Sequence, residues 1–296
     1  MDYFITKEDI PNYLKLPSTF DFDLVDQDLG FGKIFDIFSK EIYLNLKYDF
    51  DASKKEIFRL LTKAAIHYSF VMSLPRIKVQ ITSYGIQEFV QEKMKSSSWW
   101  DVRDLGLSLL KIADKNLSDS ISKAYQIDDV RNQIPFFTKV TGIINTPSDF
   151  ESIYSINNSP DVFLMIQPLL QQSLDTKIKK QINEDCLLLV KGNDQLNIYL
   201  KKSLVYYSLY YASSFPGFIF LQGAIAIQYD ELPWQKSIVL DERSKTNAGN
   251  NFLKLADENL KNITDFMKQN STQFPCYNIL SDEMQMRNTG FGISLF

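Results

Sequence analysis

The chain has 296 residues and a formal net charge of −4, and 45% of its residues are hydrophobic and 23% charged. This composition is typical of a globular protein and excludes an intrinsically disordered chain. No basic run exceeds two residues, which argues against nucleic-acid binding as the main role, because affinity for phosphate backbones needs clustered Lys and Arg. The length favours two domains over one. Aromatic residues make up 14% of the chain, which indicates a Phe- and Tyr-rich core or large interfaces.

The N-terminal residues lack the features of a signal peptide. No apolar run reaches the roughly 18–20 residues of a transmembrane helix, since Pro216 interrupts the nearest stretch, 203–221. Cys186 and Cys276 lie far apart and outside any CxxC spacing, so neither a zinc site nor a disulfide framework is indicated. We therefore expect a soluble protein with buried, reduced thiols, made in a reducing cytosol and without a membrane partner.

Apolar periodicity and capping signals predict helices in the first half at about 7–14, 30–47, 53–74 and 98–124. Ser53 and Glu56 fit a capping box that would start the third of these helices, and Pro75 is expected to end it. Alternating polar and apolar residues at 78–82, with a turn at 84–85 and a return to 90, predict a small β-hairpin.

The segment 131–145 is a candidate linker. Beyond it, Ser148 and Glu151 predict a second capping box, and Pro160 suits the first position of a helix. Second-half helices are predicted at about 147–151, 160–182, 196–214 and 247–269, with a hairpin at 218–227.

An eight-residue segment occurs twice, as Leu110–Leu117 and as Leu253–Leu260, with six identical positions. Both halves also give the same predicted order of a short helix, two long helices, a hairpin and a long helix, which indicates an internal duplication. The predicted fold is therefore mainly α with small β-hairpins, as two tandem related helical domains of about four helices plus a hairpin each. The predicted segments are a first domain at 1–130, a linker at 131–145, a second domain at 146–269 and an extended C-terminal tail at 270–296.

Helical spacing predicts which side chains of the first octet region face the core. The inward set is Leu109, Ile112, Ala113 and Leu117, and the outward set is Lys111, Asp114 and Asn116. Asp114 and Asp257 each follow a lysine by three residues, which predicts exposed ion pairs on the helix surface. A pair of catalytic carboxylates is the less favoured alternative, because the sequence places no base or metal beside them.

The sequence contains no pattern specific for catalysis, a cofactor or a metal. The single histidine, His67, lies on a predicted helix without a Ser, Asp or Cys partner at a recognisable spacing, so a structural role is favoured. Asp21, Asp23, Asp26 and Asp28 could coordinate Ca²⁺, but they lack the glycine and distal glutamate of an EF-hand, and a solvated acidic loop is favoured. The glycines form no phosphate-binding motif.

Two sets of apolar residues are candidates for subunit or partner contacts. Trp99 and Trp100 begin a helix without basic neighbours, so a core or interface role is favoured over stacking on bases. The last 27 residues have no helical period, yet they are too apolar for a typical disordered tail. We expect the tail to dock on a neighbouring subunit rather than on its own domain, through Phe291, Ile293, Leu295 and Phe296.

Several stretches resemble a family encoded by tailed phages and prophages of Bacteroidetes. They are the segment Thr146–Ser159 with the helix after it, the Leu74-Pro75 pair, the segment Val79–Gly85 and the helix at 98–124. Members of that family are similar to head-to-tail connector, or head-completion adaptor, proteins: mostly helical subunits that form a ring beneath the portal. The usual member is a single copy, so the duplication here leaves open whether the ring keeps its subunit number or has half of it.

The resemblance implies a virion structural protein without enzymatic activity, made in the cytoplasm of the host bacterium. Its expected partners are itself, as a ring homo-oligomer, the portal protein and other neck or tail proteins, while genomic DNA passes through without sequence-specific binding. A cytoplasmic helical interaction module whose two halves clamp a partner is the alternative, and an enzyme is the third possibility.

Overall fold

The computed structural model describes residues 3–15, 20–82, 85–88, 99–140, 142–215, 218–221, 224–227 and 242–277. The described residues up to Val140, together with Asn145–Phe163, pack into one compact unit. Those from Leu164 onward, with residues 142–144, form a second unit. These two units are defined by which residues pack together. The predicted domain boundaries were instead placed by the sequence repeat, so they stay predictions.

The described chain is mainly helical, as predicted. The helices are α1 (Gln27–Phe38), α2 (Lys40–Tyr48), α3 (Ala52–Lys78), α4 (Trp99–Tyr125), α5 (Asp128–Arg131), α6 (Pro147–Glu151), α7 (Pro160–Ser173), α8 (Glu184–Gly192), α9 (Asp194–Ala212) and α10 (Glu242–Gln269). Short 3-10 turns occur at Ile10–Asn12, Phe22–Leu24 and Pro135–Lys139, and a π turn extends α7 over Leu174–Ile178. Within the described residues, none of these helices has the length and apolarity needed to cross a bilayer.

Two short antiparallel strand pairs follow the long helices. They are β1 (Val79–Thr82) with β2 (Gly85–Glu88), and β3 (Phe218–Leu221) with β4 (Ala224–Ile227). Val79 lies opposite Glu88 in the first pair, and Phe218 lies opposite Ile227 in the second.

The first predicted helices are shorter than expected. The segment 7–14 contains only one 3-10 turn, and the single helix predicted over 30–47 is two helices separated at Ser39. Ser39 has φ +60°, a conformation that stops α1, and its hydroxyl oxygen accepts a hydrogen bond from the N–H of Ile42 in the first turn of α2. Apolar periodicity continues across this break, which is why the pattern alone did not reveal it.

The predicted capping box and C-terminal limit of α3 are wrong, although the helix begins at Ala52, within one residue of the predicted start. Its first turn is capped by Asp51, whose carboxylate accepts hydrogen bonds from the N–H groups of Ser53 and Lys54, while Glu56 pairs with Arg59 instead of closing a capping box. At the other end the helix continues through Pro75 to Lys78. Proline has no backbone N–H and so removes one hydrogen bond of the helix, yet the helical conformation continues beyond it.

The core of the first unit lies where α3 packs on α4. One cluster of buried side chains joins these helices to the N-terminal segment: Ile10, Leu14, Ile66, Phe70, Leu74 and Leu109. Phe31, Phe38 and Tyr43 from α1 and α2 are also fully buried. A large part of the aromatic content of this unit therefore belongs to its core.

The predicted linker contains more structure than expected. The segment 131–145 includes the last residue of α5 and the 3-10 turn Pro135–Lys139. A capping box does start α6, but its members are Thr146 and Asp149 instead of Ser148 and Glu151. The N-cap position is thus two residues earlier, because Pro147 occupies the first helical position.

The second unit contains a helix that the sequence pattern missed and a bond that it did not suggest. Residues 184–192 form α8, which Asn183 caps by accepting a hydrogen bond from the N–H of Cys186.

Cys186 is joined to Cys276 by a disulfide, with the two Cα atoms 5.6 Å apart, so the expectation of reduced thiols is wrong. Two cysteines 90 residues apart give no sequence signal of proximity; the chain after α10 brings them together.

Candidate functional site: the repeated helix pair and an exposed aromatic turn

The two octets occupy equivalent places in two similar antiparallel helix pairs. The first lies on α4 against α3, and the second lies on α10 against α9. Ala113 and Leu117 are buried in one copy, as are Ala256 and Leu260 in the other. The repeated octet therefore lies at a helix–helix interface in both places.

Three of the predicted orientations in the first octet are wrong. Ile112 is an exposed side chain, whereas Asp114, at 7% exposure, and Asn116 are buried. The amide of Asn116 donates a hydrogen bond to the Ile112 carbonyl one turn earlier, and Asn259 makes the same bond to Leu255. Two polar side chains of the first octet are thus buried, and each asparagine bonds to the backbone of its own helix.

A tyrosine on the preceding helix reaches the octet aspartate in both copies. The hydroxyl of Tyr68 donates to the Asp114 carboxylate over 2.5 Å, and that of Tyr207 donates to Asp257 over 2.6 Å. These bonds replace the ion pairs predicted with the lysines at i−3. Each one joins the second and third long helices of its half across their interface.

The two aspartates differ in their surroundings. Asp114 is buried beside the ion pair that Lys33 of α1 forms with Asp161 of α7, whereas Asp257 is exposed. Burial raises the pKa of Asp114 to about 7, against the opposing effect of its hydrogen bond from Tyr68. The carboxylate of Asp161 raises this pKa further and the ammonium group of Lys33 lowers it. Near neutral pH this buried group can therefore exchange a proton.

A glycine one turn before each octet marks a close approach to the preceding helix. A Cβ on Gly106 would lie 3.1 Å from the side chain of Leu74 at the end of α3. A Cβ on Gly249 would lie 2.5 Å from the hydroxyl of Ser213, just beyond α9. The helix pair is thus held at two corresponding levels, by the tyrosine–aspartate bond and by the glycine contact.

These contacts were missed from the sequence although a signal was present. Each octet is preceded by a glycine at the same distance, and each partner helix carries a Tyr-Ser pair, at 68–69 and at 207–208. Tyrosine and aspartate are separated by 46 and 50 residues, so no local spacing rule could connect them. Only a comparison of the two halves of the sequence would have shown the shared glycine and the shared Tyr-Ser pair.

His67 is buried on α3, where its Nδ1–H donates a hydrogen bond of 2.7 Å to the Lys63 carbonyl oxygen. Burial lowers its pKa, because the charged imidazolium loses solvation. The corresponding position before the second tyrosine is Tyr206. This geometry gives His67 a packing role within the first helix pair.

The acidic segment uses its carboxylates locally. Asp21 caps the 3-10 turn at 22–24 and Asp26 caps α1, each by accepting a hydrogen bond from a backbone N–H two residues later. Asp23 pairs with Lys7, and Asp28 accepts a hydrogen bond from the hydroxyl of Tyr3. Among the residues that the structure describes, no group of three or more His, Cys, Asp or Glu side chains is placed to bind a metal ion.

The same segment lines a surface groove of about 480 Å³, which we call the N-terminal groove. Its apolar lining residues are Phe4, Ile10, Phe22, Leu24 and Val25. Asp23, Asp26 and Asp28 add carboxylates to the lining, and Lys7 and Arg76 add cations. Arg76 pairs with Asp26 at 2.8 Å. The groove is therefore lined by apolar and charged side chains in similar measure.

A second surface feature lies between α2 and α3, and we call residues 48–51 the aromatic turn. Phe50 is 91% exposed and Tyr48 is 66% exposed. The N–H of Asp51 donates to the Asp49 carboxylate at 2.9 Å, and Lys54 bridges Asp49 to Asp129. The backbone that carries Phe50 is thus fixed by hydrogen bonds and ion pairs although the ring itself is in solvent.

The predicted interface residues lie mostly outside this description. Phe291, Ile293, Leu295 and Phe296 fall beyond the described residues. Trp99 and Trp100 form the start of α4. An interface role for all six stays a prediction.

One protein family matches this chain, over residues 18–122 and 166–281. Its description is "Family of unknown function (DUF6712)". The chain belongs to this family. Each matched stretch contains one octet and its partner tyrosine, so the DUF6712 similarity includes both helix pairs. Neither the curated proteins nor the solved structures contain a match to the chain.

Proposed function

We propose that this DUF6712 protein is a noncatalytic structural component of a tailed-phage virion, which forms a ring in the neck between portal and tail. The phage assignment rests on the resemblance to connector proteins described above. The observation on the molecule that supports an assembly role is the repeated helix pair. In both copies its polar side chains, such as Tyr68 with Asp114 and Tyr207 with Asp257, join one helix to the next.

Within this proposal, the chain consists of two tandem related helical domains, each built on one such pair. The shared contacts lie in the helix interfaces, whereas the octet positions at 115 and 258 differ in the sign of their charge, as Lys and Glu. A duplicated scaffold that keeps its internal contacts while its outer surface changes is suited to forming different contacts at each end. The partners are other copies of the chain, the portal and neighbouring neck or tail proteins.

The proposal places the protein in the virion after synthesis in the host cytoplasm. Thiols are kept reduced in that compartment, so the disulfide would close after assembly or on release of the particle. The reduced and oxidised chains therefore correspond to two stages of the same protein.

The test is electron microscopy of the purified protein, alone and mixed with portal complexes from the same phage. We expect rings whose rotational symmetry gives the number of subunits, and hence shows whether duplication preserved or halved it. Strictly monomeric protein at high concentration that also fails to join portal complexes would refute the proposal. Such a result, with binding to a cytoplasmic protein instead, would favour the helical clamp.

A further inference from the structure

We propose that the aromatic turn of one copy inserts into the N-terminal groove of a second copy, in a head-to-tail contact. This inference rests on the proposed ring and names the surfaces that would build it. Phe50 is presented on a turn already fixed by Asp49, Asp51 and Lys54. An exposed aromatic ring on a fixed backbone loses little conformational entropy on binding and buries a large area, which is the profile of an interface hot spot.

The groove offers a matching receptor. Its volume of about 480 Å³ lies within the range of protein pockets that enclose small ligands, and Phe22, Leu24 and Val25 provide apolar walls. Leu24 is itself 43% exposed in the described unit. Insertion of an aromatic ring would cover apolar surface on both partners.

The charges around the two surfaces are complementary. Lys47 lies 5.7 Å from the centre of the Tyr48 ring, and Lys55 lies 5.4 Å from that of Phe50. The groove carries three carboxylates, Asp23, Asp26 and Asp28, against two cations. The turn has carboxylates of its own, but Asp49 is paired with Lys54 and Asp51 accepts hydrogen bonds from the first turn of α3. In the groove, Asp23 is paired with Lys7 and Asp26 with Arg76, which leaves the carboxylate of Asp28 as the excess negative charge. Attraction between this carboxylate and the lysines beside the rings favours this orientation over a symmetric contact between two grooves or two turns.

The positions of the two surfaces exclude insertion of the turn into the groove of the same chain. Phe50 precedes the first residue of α3, whereas Arg76 of the groove lies near its last turn. The 24 helical steps from Ala52 to Arg76 span about 36 Å at 1.5 Å per residue. The turn cannot fill the groove of its own chain. A contact between different patches, here at opposite ends of α3, is heterologous, and such contacts generate rings when the rotation closes.

The experiment compares assembly of the full chain with three variants by analytical ultracentrifugation and electron microscopy. Phe50→Ser blocks the turn, Leu24→Arg blocks the groove, and Leu188→Ser is the control, since Leu188 is 68% exposed in the second unit. We expect the control to assemble as the unmodified chain does, and each blocked variant to assemble about 30-fold more weakly or worse. Circular dichroism checks that each variant folds, and Tyr48→Ser provides a second block of the turn.

Mixing the two blocked variants gives the sharpest outcome. The intact turn of the Leu24→Arg chain can enter the intact groove of the Phe50→Ser chain, and the remaining turn and groove are both blocked. We therefore expect heterodimers that do not extend. Rings formed by both blocked variants would overturn this inference while leaving the proposed function in place. An unmodified chain that assembles neither alone nor on portal complexes would overturn both.

Discussion

Asp114 and Asp257 occupy the same position of the octet and accept the same tyrosine hydrogen bond, yet one is buried and the other is exposed. Helical spacing treated them alike, as surface residues paired with lysine. Burial is decided by what packs over the helix, and in the first unit the neighbourhood of Asp114 includes Lys33 and Asp161 from other elements. That information is not local to the octet, so the sequence could not supply it.

The raised pKa of Asp114 predicts a pH-dependent stability. The pKa is 3.8 for the unperturbed group and about 7 in the folded chain. Between these values the unfolded chain has released the proton while the folded chain still holds it, so the free energy of unfolding falls as the pH rises. The slope is about 1.4 kcal/mol per pH unit, and it ends above pH 7, where both states are ionised.

Asp114→Asn should remove this slope, because an amide has no proton to release and can still accept the Tyr68 hydrogen bond. Relative to the unmodified chain, we expect the variant to gain stability steadily from pH 4 to pH 7, measured by urea unfolding. Asp257→Asn is the matched substitution at the exposed octet aspartate and controls for loss of a tyrosine-bound carboxylate. Equal pH profiles for the unmodified chain and Asp114→Asn would contradict the prediction.

At the scale of elements, the contact between α1 and α3 depends on a single glycine. A Cβ on Gly30 would lie 2.1 Å from the Ala65 carbonyl oxygen and 2.5 Å from the Ser69 backbone nitrogen, which are rigid groups. Gly30→Ala should therefore force the helices apart and lower the free energy of unfolding by about 3 kcal/mol or more. Thermal and urea unfolding measure the loss.

Gly32 provides the control on the same helix. No atom lies within 4 Å of a Cβ built there. Gly32→Ala should raise the free energy of unfolding by about 0.5–1 kcal/mol, because alanine has the better helix propensity. Similar effects of the two substitutions would mean that α1 and α3 are not in close contact.

The disulfide predicts a redox effect on the second unit. Cys186 and Cys276 close a loop with a sequence separation of 90, and the chain-entropy estimate for such a loop is roughly 4–5 kcal/mol. Dithiothreitol should therefore lower the unfolding midpoint of the oxidised chain. The double variant Cys186→Ser with Cys276→Ser should start at the lower midpoint and show no response to dithiothreitol; an unchanged midpoint on reduction would contradict a stabilising bond.

The helices also show which features of the fold could be predicted from the sequence. The long helices α4, α9 and α10 were predicted to within a few residues, because each has a continuous apolar stripe. The break at Ser39 and the passage of α3 through Pro75 were not, since both depend on a local backbone geometry that competes with the pattern. Helix α8 was missed because it is short and because two of its leucines, Leu188 and Leu189, are exposed, which obscures the apolar periodicity.

For the whole molecule, the repeated octet was the feature from which the sequence best indicated the structure. The octets predicted two corresponding helices, and the structure pairs each with a partner through the same two levels of contact. The candidate surfaces were not foreseen. A fully exposed Phe50 and a groove beside the acidic segment arise from turns and chain ends, where hydrophobic periodicity carries no information.

The C-terminal tail gives the last prediction, which concerns assembly rather than folding. Deletion of residues 285–296 removes Phe291, Ile293, Leu295 and Phe296, and if these residues bind a neighbouring subunit the truncated chain should form fewer or less stable rings. Its unfolding midpoint should stay close to that of the full chain, because the disulfide-linked Cys276 lies before the deletion. A quadruple serine variant of the four apolar residues keeps the tail length and should reproduce the defect. Normal rings from both variants would exclude the tail as an interface, and a lowered midpoint would indicate that it packs on its own domain instead.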